Sequence, residues 1–130
     1  MNLRISFLAA ALTAILVLPA SGVDLPAAYT ADQATQGETA FAQSCGGCHG
    51  SDMIGIFHEY PTAKAYYDFI SVGMPFDQPG TLSPRRYLSI MAWLMRENGF
   101  PAGDTALSDT AAVLKSIIPT DSPGAAPVAQ

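Results

Sequence analysis

Apolar positions along this chain recur at helical intervals and nowhere alternate as they would in half-buried strands. Thr30 followed by Gln33 makes a capping-box signature, and the Ala/Gln/Glu-rich run behind it predicts a helix over residues 30–43. Gly37 and Phe41 fall one turn apart on one face of it. Residues 50–60 read as irregular, with Gly55 inside and Pro61 after them. Thr62 then caps a short helix to about residue 71, carrying Tyr66, Phe69 and Ile70 at helical spacing, and Gly73 ends it. Met74-Pro75-Phe76 and Gln78-Pro79-Gly80 form a loop of turn residues. Ser83 and Pro84 open a long helix whose stripe is Tyr87, Ile90, Met91, Leu94 and Met95, with Asn98-Gly99 as its C-cap and Pro101 as its stop. A last short helix is expected over residues 109–117 with Leu114 and Ile117 inward. Residues 119–130 read as a disordered tail. There is no internal repeat, and the expected fold class is all-α.

The N-terminus follows a different pattern. Arg4 precedes an uncharged apolar run over residues 5–18, and Pro19-Ala20-Ser21-Gly22 supplies small residues for cleavage. That is a secretory signal peptide over residues 1–22, because the run of 14 residues falls short of the roughly 20 that a spanning helix needs. The exported domain is then residues 23–118, and the expected location is the periplasm. The whole chain of 130 residues carries a net charge of −5. Without Arg4, five basic residues face eleven acidic ones, which gives −6. Nucleic acid is a poor partner for such a chain, and a partner steered by long-range charge would present a positive face. Two cysteines cannot build a disulfide scaffold. A domain this small buries a modest core, which a large apolar cofactor would supplement.

The chemistry concentrates at Cys45-Gly46-Gly47-Cys48-His49. In an exported chain, C-x-x-C-H is a site for covalent attachment of a c-type haem. Two thiols three positions apart each form a thioether with a former vinyl group, and His49 brings an imidazole to the iron as proximal ligand. Glycines at 46 and 47 leave room for the ring near the backbone. Competing readings exist. A thioredoxin-type pair would follow a strand, whereas a helical pattern precedes this one. Zinc could draw on Cys45, Cys48, His49 and His58, although Cys48 and His49 are adjacent and crowd one small ion. A small disulfide is the remaining option.

A haem iron held by His49 has one axial position left. Met74 is the favoured ligand, because it sits in a loop with Pro75 fixing the backbone after it. Met91 and Met95 belong to a helix stripe and read as core filler. Met53 lies only four residues past His49 and cannot reach the other haem face. His58 competes and would give a bis-histidine site of lower potential. With no sixth ligand, the site would be open to peroxide or a small gas.

With these residues in view, the chain resembles class I c-type cytochromes over residues 30–118. Gly37-x-x-x-Phe41-x-x-x-Cys45-x-x-Cys48-His49 looks like the first helix and haem site of that family. Gly73-Met74-Pro75 looks like its methionine loop, and the helix with Trp93 looks like its last helix. The resemblance implies a bundle of three to five short helices around one covalently attached haem c, bound by Cys45, Cys48, His49 and Met74, with His49 and Met74 on the iron. It also implies that Gly37, Phe41 and Trp93 share a helix crossing. Residues 74–84 and 93–103 are similar to the cytochrome domains that accompany pyrroloquinoline-quinone dehydrogenases. In that family a longer loop follows the haem histidine and carries a proline whose carbonyl orients it; here Pro61 is the sole proline available. The expected role is single-electron transfer from a periplasmic dehydrogenase to a terminal oxidase or another cytochrome, with no substrate transformed. A peroxidase-like enzyme with an open sixth position, a dedicated subunit of a larger dehydrogenase and a structural zinc module are the rival expectations.

Overall fold

A computed structural model describes residues 25–121, and the signal peptide expected over residues 1–22 lies outside them. Five α-helices follow in order: α1 (Ala31–Ser44), α2 (Met53–Ile56), α3 (Ala63–Gly73), α4 (Pro84–Glu97) and α5 (Ala111–Ser116). Short 3-10 turns cover Phe57–Glu59 and Pro119–Asp121. No strand occurs among the described residues, and the fold is all-α. None of these helices is long and apolar enough to cross a membrane.

The three long helices start where their capping residues place them. Thr30, Thr62 and Ser83 each accept the backbone N–H three residues on, which satisfies a donor that the first helical turn leaves free. At the far end of α4, Gly99 adopts a left-handed φ of 82°. Its N–H reaches the Arg96 carbonyl and that of Phe100 reaches Met95, a Schellman closure.

Helix α4 is the axis of the molecule. Its buried residues run without a break from Tyr87 to Met95, wider than the stripe expected from periodicity. A helix hydrophobic all round must be covered all round. Helix α1 supplies one side, crossing α4 at Gly37. A Cβ there would collide with the Ser89 carbonyl and lie 2.9 Å from the Trp93 Cβ, so only glycine permits the approach. Beside it the Phe41 and Trp93 rings stack with centroids 4.4 Å apart. Helix α3 covers another side and α5 packs in turn on α3, with Tyr66, Ile70, Leu114 and Ile117 inward.

Four local expectations are corrected. Residues 50–60 are not wholly irregular, since α2 and the 3-10 turn lie within them; Asn98 on the end of α4 holds the Ile54 carbonyl at 3.1 Å. Helix α5 begins at Ala111 rather than 109, and its N-cap Thr110 makes no side-chain cap bond. Residues 119–121, expected in a disordered tail, form a 3-10 turn whose Pro119 is buried; residues 122–130 lie outside the described part. Gln33 does not close a capping box. Its amide instead exchanges two hydrogen bonds with the backbone of Leu107, at 2.9 and 2.7 Å. Tyr29 does similar work from the extended lead-in, donating its hydroxyl to the Phe100 carbonyl at 2.7 Å.

Candidate functional site

The last turn of α1 runs directly into the cysteine motif. The N–H groups of Cys45 and Gly46 both reach the Phe41 carbonyl, and those of Cys48 and His49 both return to the Cys45 carbonyl. The motif is therefore a tight turn wound about two carbonyls, those of Phe41 and Cys45, and it brings Cys45, Cys48 and His49 to one wall of a cavity. Gly46 serves that winding, since a Cβ there would lie 2.9 Å from the Ala42 carbonyl oxygen. Gly47 meets nothing within 4 Å and borders the cavity, so of the two glycines it is the one that leaves space for a bulky occupant.

The cavity measures about 380 Å³, within the roughly 300–1,000 Å³ typical of cofactor and ligand sites. Helices α3 and α4 and the loop between them complete it through Ile70, Met74, Leu82 and Ile90. Both cysteines are free thiols, Cys45 half-buried and Cys48 exposed. Burial pushes the Cys45 thiol above its ordinary range, partly opposed by the Arg86 guanidinium nearby. Tyr66 lines the same space at 3% exposure, and burial raises its phenol strongly. No hydrogen bond ties that hydroxyl to another described residue, and it is not sealed from solvent. At the mouth Phe69 is 46% and Phe76 86% exposed, an apolar rim on an otherwise acidic chain.

Each sequence-derived candidate has a definite place. Met74 caps the end of α3, half-buried, and borders the cavity with the cysteine motif. Met53 lines it too, whereas Met91 and Met95 are fully buried elsewhere. His58 is not there. Its Nδ1–H donates to the Pro119 carbonyl at 2.9 Å, and its Nε2 is buried without a partner. That placement keeps His58 out of the cavity that Met74 borders. It also removes the fourth donor of a zinc site, and no group of three or more His, Cys, Asp or Glu among the described residues is arranged to hold a metal ion. Pro61 does not border the cavity.

Three cavity residues carried a different meaning in the sequence. Tyr66, Tyr87 and Ile90 read as core stripe, and they do pack inward, but the same faces form the cavity wall. For the two tyrosines the signal that could have separated them is the hydroxyl, which an apolar core has no use for; Ile90 carries no such signal.

Two thiols one turn apart, the adjoining imidazole, a thioether on a separate element and a tyrosine all border one apolar space. This soft, mixed donor set fits a covalently held haem. No family model matches the chain, and neither a curated protein nor a solved structure matches it.

Proposed function

We propose that this chain is an exported monohaem c-type cytochrome, an electron carrier rather than an enzyme. The observation that supports it is the convergence of Cys45, Cys48, His49 and Met74 on one apolar cavity, from two elements far apart in sequence. Cys45 and Cys48 would hold the haem c through thioethers, His49 would ligate the iron from the motif side, and Met74 would supply the sixth ligand. When bound, the group supplies one-electron exchange between ferric and ferrous iron.

The protein's own part is to hold and to exclude. Ile70, Leu82, Tyr87 and Ile90 line the cavity with apolar surface and keep water from it. The Gly37 crossing keeps the motif-bearing helix from shifting against α4, so little need rearrange as charge changes. Phe69 and Phe76 give the mouth an apolar rim on which a partner can seat without desolvating charge. The acidic balance favours partners with a positive face. On this reading electrons arrive from a periplasmic dehydrogenase of quinoprotein type and leave for a terminal oxidase or another cytochrome.

Optical spectra of oxidised and reduced protein, produced in a host that matures c-type cytochromes, test this directly. The expected result is a haem c spectrum whose pigment stays with the chain in acidified acetone. Colourless protein, or pigment that extracts freely, overturns the reading.

A further inference from the structure

We propose that Tyr87 is the positioning residue of Met74, and that through it α4 sets the spacing between the two ligand-bearing walls of the cavity; the inference rests on reading Met74 as the distal ligand. Tyr87 is 3% exposed, its ring borders the cavity, and its hydroxyl donates to the Met74 carbonyl at 2.6 Å. The same carbonyl accepts the Gly80 N–H at 3.3 Å, while the Met74 N–H is spent on Ile70. Gly80 reaches back because its φ of 70° lies in the left-handed region that glycine tolerates. The Met74 backbone is thus gripped by its own helix, by its own loop and by α4. Residues 76–81 between these grips are exposed, so the loop itself offers Met74 little packing.

The grip continues to the other wall. Tyr87 lies two residues before Ser89, whose carbonyl is the atom packed against Gly37 of α1. One turn further along α1, Phe41 stacks on Trp93 and accepts the Cys45 N–H that begins the cysteine turn. Two walls that are 25 residues apart in sequence are therefore registered on successive turns of one buried helix. A side chain that merely satisfied its own hydroxyl could have used any carbonyl. This one takes the carbonyl of the residue whose sulfur must be placed.

The test uses haem-loaded protein as wild type, Tyr87→Phe, Met74→Ala and the double variant. Added imidazole competes for the axial position, and its affinity for the ferric protein is measured by titration. Phenylalanine keeps the buried ring, so Tyr87→Phe is expected to bind imidazole between about twofold and tenfold tighter, the range one hydrogen bond supplies. Its Gly80 amide should exchange faster by a similar factor while amides within α4 stay unchanged, a local signature that general destabilisation would not give. The double variant should match Met74→Ala alone. Unchanged imidazole affinity in Tyr87→Phe, or a full Tyr87→Phe increment on top of Met74→Ala, overturns the proposal. Wild-type affinity in Met74→Ala instead removes the distal-ligand reading, and the proposal with it. Gly80→Ala strikes the same carbonyl from the loop side and must also tighten imidazole binding; no change there counts against the mechanism even should Tyr87→Phe not fold.

Discussion

Where a backbone is held decides which cavity its side chain can reach, and Met74 and His58 make the comparison. Both are half-buried, both stand in short connecting segments, and both were candidates for the same axial position. Only Met74 borders the cavity, because its carbonyl is tied to Tyr87 and its N–H to Ile70, whereas the His58 ring is turned to Pro119. On the proposed haem reading, Met74→Ala is expected to lower the reduction potential by a large margin and to abolish the far-red band of methionine-ligated ferric haem. His58→Ala should leave both unchanged while lowering the melting temperature, since it orphans the Pro119 carbonyl. Redox titration with spectra recorded alongside decides the pair. A His58 variant that shifts the potential as far as the Met74 variant would reverse the assignment.

Among the elements, the α1–α4 pair carries the consequences. Gly37→Ala drives a methyl group into the Ser89 carbonyl, and backbone cannot yield as a flexible side chain would. The expected cost is at least about 1–3 kcal/mol, the scale of an overpacked core, read by denaturant unfolding. Gln33→Ala tests the other long-range clamp. It strips both partners from Leu107, whose N–H and carbonyl are buried, and should cost about 1–3 kcal/mol. A loss of a few tenths only, as for an exposed capping residue, would show that Gln33 acts locally after all. The two interpretations of Gln33 share one sequence signature. Thr30-x-x-Gln33 is equally the start of a capping box and a cap followed by a buried amide, and what separates them is Leu107, 74 residues away. Caps were legible because Thr30, Thr62 and Ser83 act within three residues of themselves. Helix α2 was not, because its four residues have no cap bond of their own and are held from α4 through Asn98.

For the whole molecule, burial and titration are linked. The Tyr66 phenol is pushed above its ordinary value of about 10, first by burial and then by Tyr60 and Cys45. In the unfolded chain it would ionise near the ordinary value, so above roughly pH 10 the unfolded state sheds a proton that the folded state keeps. Stability is then flat on this account through neutral pH and falls as pH rises past that value. Tyr66→Phe should flatten that alkaline loss, measured as unfolding free energy against pH. An identical slope in both proteins would show that the hydroxyl finds an acceptor or water in the cavity that eases its ionisation.

Sequence alone determined what acts over short range: the all-α class, three capped helices and the stop at Asn98-Gly99. Those features depend on residues within about one turn of each other, so a linear pattern contains their causes. The tertiary structure alone decided that Met53 and Met74, and not Met91 or Met95, share a cavity with His49, where His58 faces, what Gln33 binds and that residues 119–121 form a turn. Each of these is a choice among partners that the chain could offer equally well in one dimension. Only the packing of α4 against its neighbours, with buried donors and acceptors that must be matched, narrows that choice.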